Sequence, residues 1–152
     1  MQTAIDSVLL VDDDPDDAFL MERALKELGY PVRFYFIDDS DAVPAALVLH
    51  RPGLIFTDIN MPRRTGLECL RDWRAGGVLS ATPVVIYSAS EGDSLVQEAY
   101  GLGAALYFRK PATFTGLVES LRTILAYDWS DPAAVRTRHD AGGHFEPFGL
   151  VE

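Results

Sequence analysis

Apolar residues along the chain alternate between two kinds of pattern. Short continuous runs occur at Ser7-Val8-Leu9-Leu10-Val11, Val32 to Ile37, Leu54-Ile55-Phe56-Thr57, Pro83-Val84-Val85-Ile86-Tyr87 and Leu106-Tyr107-Phe108. Each is bounded by polar or turn-forming residues and is too short for a helix, so each predicts a buried strand. Between them the spacing turns helical. Ala18, Met21, Leu25 and Leu28 share one face before Gly29, and Asp41 to Leu49 forms a short helix with Pro44 in its first turn. Further helices run from about Gly66 to Ala75, closed by Gly76-Gly77, and from about Asp93 to Tyr100, ended by Gly101. A last one carries Leu117, Leu121, Ile124 and Leu125 on one side. Five strands alternating with five helices predict an α/β fold with a parallel, doubly wound sheet.

In such a sheet, ligands bind in the crevice beyond the carboxyl ends of the strands. The residues at those ends are therefore informative. The first strand runs into Asp12-Asp13-Asp14-Pro15-Asp16-Asp17, the third stops at Asp58, the fourth leads into Ser88-Ala89-Ser90 and the fifth into Arg109-Lys110-Pro111. Part of the aspartate run has a local explanation: Asp14 can cap a helix, Pro15 suits its first position, and Asp16 and Asp17 complement the positive helix end. Asp12 and Asp13 precede the cap and would repel each other without a cation between them. With Asp58 they form a set of hard oxygen donors suited to Mg²⁺, which is often held by a few carboxylates together with phosphate oxygens. A carboxylate can attack a phosphoryl group to form an aspartyl phosphate. Asp58 is the candidate acceptor, Lys110 the fixed cation and Ser88 the hydroxyl donor; positioning and electrostatics would be the protein's main contribution.

A chain of 152 residues is sized for one core, and its single cysteine, Cys69, cannot form an internal disulfide, which fits a reducing, cytoplasmic setting. Thirteen Lys and Arg against 23 Asp and Glu give a net charge of −10, which disfavours direct DNA binding. The N-terminus lacks a signal-peptide pattern and no apolar run reaches membrane-spanning length, so no membrane association is expected. His50, His139 and His144 lack the neighbours of a metal site and are not assigned as phosphorelay histidines.

Together Val11-Asp12-Asp13-Asp14, Thr57-Asp58-Ile59-Asn60-Met61-Pro62, Tyr87-Ser88-Ala89 and Tyr107-Phe108-Arg109-Lys110-Pro111 resemble the receiver domain of two-component response regulators, over roughly Ser7 to Tyr127. The resemblance implies a flavodoxin-like fold with strand order 2-1-3-4-5 and helices on both faces. It implies Asp58 as phosphoacceptor, Asp13 as a direct Mg²⁺ ligand, Asp12 binding mainly through water and the Asn60 main-chain carbonyl as the remaining protein ligand. It further implies that Ser88 reorients toward the phosphate, that Lys110 pairs with it, that Tyr107 is an aromatic switch turning inward, and that Lys110-Pro111 is a cis bond. An aromatic residue half-buried on a strand would equally explain Tyr107. The expected partners are a sensor histidine kinase, of hybrid or phytochrome type, or a histidine phosphotransfer protein. The output surface falls on the fourth helix, fifth strand and fifth helix, with a homodimer through that face or through the C-terminal extension as a further expectation.

Residues 1–128 are read as the receiver and 129–152 as an extension without an output domain. In the extension, Asp131-Pro132, Gly142-Gly143 and Pro147 suggest turns, while Trp129, Phe145, Phe148, Leu150 and Val151 could dock on the core or on a second protomer; a disordered tail is the other reading. Three rival functions share parts of the pattern. A haloacid-dehalogenase-type phosphohydrolase usually has a second Asp two positions after the nucleophile, where this chain has Asn60. A flavodoxin's first loop should donate hydrogen bonds to phosphate rather than present carboxylates. A receiver-like scaffold that is never phosphorylated would not need the complete residue set.

Overall fold

The computed structural model describes residues 5–79, 81–90 and 92–149. Leu150 and Val151, expected among the docking residues, lie outside them. Five parallel strands, β1 (Ser7–Val11), β2 (Arg33–Ile37), β3 (Leu54–Thr57), β4 (Val84–Ser88) and β5 (Leu106–Arg109), form one sheet in the order β2-β1-β3-β4-β5. The register pairs Val11 with both Ile37 and Thr57, so the carboxyl ends of the three strands are level. β1, β3 and β4 are buried along their whole length. This explains why their sequences are apolar without alternation: both faces of the sheet are covered.

Alternate residues of each strand feed two cores. Val8, Leu10, Leu54, Phe56, Val85, Leu106 and Phe108 pack beneath α1 (Pro15–Lys26) and α5 (Phe114–Leu125). Leu9, Val11, Ile55, Val84, Ile86 and Tyr107 face α2 (Val43–His50), α3 (Gly66–Ala75) and α4 (Asp93–Gly101). Each fully buried Leu, Ile or Phe contributes roughly 1.5–3 kcal/mol. The second helix differs from the sequence reading: Ser40–Ala42 form a 3₁₀ turn capped by Asp39, and α2 begins at Val43 with Pro44 near its start. Proline lacks the N–H an interior position needs, so the helix starts around it.

The segment after α5 packs on the core. Asp131 caps α6 (Pro132–Thr137), followed by the hairpin β6 (Asp140–Ala141) and β7 (His144–Phe145). Trp129, Val135 and Phe148 are buried, and the Trp129 indole N–H donates to Ile124 O at 2.8 Å. Beyond the hairpin the chain reaches the edge of β5, where Phe148 N–H donates to Tyr107 O at 2.6 Å and Phe148 bridges Phe108 in parallel. Tyr100 of α4 stacks on Phe145 with ring centroids 4.5 Å apart. The Gln97 side-chain amide accepts from Phe145 N–H at 2.9 Å and donates to Phe145 O at 2.6 Å, taking the place of a neighbouring strand.

Candidate phosphoacceptor site

Sheet order decides which strand ends meet. Because β1 lies beside β3, Asp58 N–H donates to Val11 O at 2.9 Å, which sets Asp58 next to Asp12. Because β4 lies beside β5, Lys110 N–H donates to Ser88 O at 2.9 Å. Asp12, Asp13, Asp58, Ser88 and Lys110 thus leave their strands at one end of the sheet.

Asp12 is fully buried; one carboxylate oxygen accepts from Asp14 N–H at 2.9 Å and the other from Lys110 Nζ at 3.0 Å. Burial pushes its carboxyl up to about 6, outweighing the Asp14 N–H and Lys110, which pull it down. Asp58 is also buried and accepts from Ile59 N–H at 2.8 Å. Its carboxyl is raised, first by burial, against the lowering pull of Lys110 and the Ile59 and Asn60 N–H groups. Asp13 is exposed. One oxygen from each of Asp12, Asp13 and Asp58 lies within 4.8 Å of the others. Two oxygens on one Mg²⁺ at about 2.1 Å are no more than roughly 4.2 Å apart, so a small closure or an intervening water suits this donor set to that ion.

Lys110 Nζ lies 2.6 Å from Asp17, 3.0 Å from Asp12 and 3.6 Å from Asp58. Burial works against its charge, but Asp17, Asp12 and Asp58 together raise it above an ordinary lysine. Three carboxylates thereby surround a single ammonium, an imbalance that a divalent cation would correct. Asp17 was expected only to complement the helix end. Its position four residues before buried Met21, on the inward face of α1, was the available signal.

Ser88 is buried and its hydroxyl accepts from Ser90 N–H at 3.1 Å. Tyr107 is fully buried and its hydroxyl donates to Ser90 O at 2.9 Å. Its ring therefore already points inward. Asn60 Nδ2 donates to Ser90 Oγ at 3.1 Å, tying the acceptor loop to the same group. The Lys110-Pro111 bond, expected cis, is trans, as is every peptide bond among the described residues. Trans is the lower-energy isomer by about 0.5–1 kcal/mol. Lys110 reaches both Asp12 and Asp17 with it.

Gly66 was not anticipated as part of the site. Its N–H donates to Ile59 O at 2.8 Å, and a Cβ at this position would overlap the Asp58 carbonyl oxygen. Only glycine lets α3 start so close to Asp58. The capping box of Thr65 and Glu68 fixes that start.

The site is a buried strand-end aspartate beside a lysine and two further carboxylates, on a doubly wound parallel sheet, and the comparisons identify the family. The family model for the response regulator receiver domain matches residues 8–122, and the chain belongs to that family. The probable methanogenesis regulatory protein FilR2 of Methanothrix harundinacea is 30% identical over 126 residues, covering 79% of this chain and 81% of that protein. Among solved structures, the phosphorylated cyanobacterial phytochrome response regulator RcpA superposes with a TM-score of 0.72 at 27% identity, covering 84% of this chain and 96% of that one. The Mn²⁺-bound form of response regulator Rcp1 gives a TM-score of 0.69 at 26% identity, over 80% and 93% of the two chains. The five-stranded order agrees with the flavodoxin-like receiver fold. Among the described residues no helix is long and apolar enough to cross a membrane.

Proposed function

We propose that the chain is a phosphorylation-dependent signalling switch that accepts a phosphoryl group on Asp58 from a histidine kinase or a histidine phosphotransfer protein. The observation that carries this reading is the buried Asp58 carboxylate, 3.6 Å from Lys110 Nζ and grouped with Asp12 and Asp13. In the transfer a carboxylate oxygen of Asp58 attacks phosphorus, the O–P bond forms, and the bond to the donor breaks with its electron pair leaving on the donor. Asp12, Asp13, Asp58 and the Asn60 carbonyl would hold Mg²⁺, which supplies charge neutralisation at the phosphoryl oxygens. Lys110 neutralises a further phosphoryl oxygen, and Ser88 donates a hydrogen bond once it leaves Ser90. Tyr107, whose hydroxyl donates to Ser90 O, carries that change to β5.

Position 60 bears on turnover. Asn60 cannot serve as an acid or base toward a leaving group, so catalysis is limited to the chain's own phosphorylation and dephosphorylation, not sustained phosphomonoester hydrolysis. The likeness to the phytochrome response regulator RcpA supports a phytochrome-type kinase as donor, and a hybrid kinase is the other donor we propose. Residues 1–128 act as the receiver and 129–152 as an extension, in a cytoplasmic protein that signals through protein contacts, including a homodimer. Incubation with acetyl phosphate and Mg²⁺ should add one phosphoryl group by intact mass, and Asp58→Asn should remove all labelling. Continued labelling of Asp58→Asn would refute the acceptor assignment, and the same samples run by sizing report assembly.

A further inference from the structure

At the amino ends of β4 and β5, opposite the phosphoacceptor crevice, a cavity of about 190 Å³ opens between α3 and α6. Its wall includes Arg74, Thr82, Gly103, Pro132 and Arg136. The two arginines are anchored on consecutive carbonyls: Arg74 Nη2 donates to Gly103 O at 2.7 Å and Arg136 Nη1 to Ala104 O at 2.7 Å. Gly103, at φ +98°, is where the Arg74 side chain comes so close that a Cβ would stand 2.9 Å from its Nε. Arg136 is fixed from its other side by the rings of Phe145 and Tyr100, 4.7 and 5.5 Å from their centroids.

Each guanidinium carries five N–H donors and spends only one on these carbonyls. Among the described residues neither arginine forms an ion pair. Burial and the neighbouring Arg136 both lower the Arg74 guanidinium below its ordinary value. Two guanidinium charges line one cavity, Arg74 exposed and Arg136 half-buried, in a protein of net charge −10. An anion between them would offset their mutual repulsion. Guanidinium forks match carboxylate and phosphate oxygens in two-point geometry.

We infer that Arg74 and Arg136 form a binding site for the phosphate or carboxylate group of a small molecule, separate from the phosphoacceptor. Because Arg136 belongs to α6 and Arg74 to α3, the bound oxyanion would join the extension to the core.

The test is a ¹⁵N NMR titration of the full chain, freed of metal on a chelating resin so that no polycarboxylate chelator competes. Inorganic phosphate and acetate are added separately, with chloride at matched ionic strength as the reference. The Nε–H signals of Arg74 and Arg136 should move together and saturate with phosphate, acetate or both; which arm saturates identifies the oxyanion. Arg74→Gln should weaken the response of Arg136 roughly tenfold or more, while the Phe148 amide stays in place. Should that variant fail to fold, Arg74→Lys keeps the charge, loses the fork and should also bind more weakly. Shifts that never saturate, that chloride reproduces, or that survive both Arg74 substitutions overturn the site.

Discussion

The carboxyl-end crevice and the C-terminal extension are held by opposite means. In the crevice, Asp12, Asp17 and Asp58 all depend on the one ammonium of Lys110, with 16% of its side chain exposed. The extension is held by many smaller contacts: Trp129, Phe145, Phe148 and Arg136 make stacking contacts or hydrogen bonds with the core, Gln97 and Tyr100 of α4 among their partners. Concentrated charge makes single residues decisive, because removing one partner strands the others in a poorly solvated place. Distributed apolar and backbone contacts share the load, so no single loss should release the segment. The two regions meet at Tyr107: its hydroxyl is bonded within the crevice, its N–H donates to Tyr100 OH, and its carbonyl accepts from Phe148.

Lys110→Met is the sharpest way to break this contrast. It should cost the metal-free protein about 3 kcal/mol, roughly 6–12 °C in Tm, because three carboxylates lose their counter-charge. Added Mg²⁺ should restore more stability to the variant than it gives the wild type. Equal Mg²⁺ effects on the two in calorimetry would mean that Lys110 and the metal do not answer the same charge imbalance. Gly66→Ala comes next. Moving the start of α3 away from the Asp58 carbonyl should cost about 2–3 kcal/mol and slow labelling by acetyl phosphate, as followed by intact mass against time. Wild-type labelling kinetics would show that α3 can shift without disturbing the acceptor.

The same contrast explains what could be read in the sequence. The five strands and the convergence of Asp12, Asp58, Ser88 and Lys110 were legible, because continuous apolar runs identify buried parallel strands and the fold brings their exits together. Asp17 was not: its place in the first helical turn already accounted for it, and its bond to Lys110 spans 93 positions of chain. Gly66 was hidden for a similar reason, since the close approach exists only once α3 has docked. The extension was hardest. Asp131-Pro132 suggests a turn by composition, yet Asp before Pro is the same helix start as Asp14-Pro15, with the aspartate as cap and proline at the first position. Its order depends on Gln97 and Tyr100, which no local pattern links to Phe145 and Glu146.

Phe148→Ala tests the distributed side of the comparison. Although the ring is buried against Phe108 and Tyr127, the remaining anchors should hold the cost to about 2 kcal/mol, below a full core Phe→Ala change. Hydrogen exchange should then quicken at Phe145 and Phe148 while β1 and β3 keep their protection. A loss as large as that of Lys110→Met, or one that spreads to β1, would mean that the extension is cooperative with the whole domain.

The smallest effect concerns His139, whose ring lies between Tyr127 and Phe148 with Nε2 buried and without a hydrogen-bond partner among the described residues. Burial, then Arg138, lowers its proton affinity, and Glu146 offsets this in part. With the folded value below the free one, the unfolded segment binds the proton more readily. The contribution of His139 is therefore complete above the free value near 6.5 and is lost as pH falls through that region. His144 Nε2 lies 2.9 Å from Asp93, so the measurement is made in a His144→Gln background that leaves His139 as the one histidine of the segment. There, exchange at the Phe148 amide should quicken between pH 7.5 and 5.5 by more than the intrinsic pH dependence of exchange, and His139→Gln should remove the excess. An excess that persists in His139→Gln would assign the acid sensitivity of the extension to the carboxylates around it.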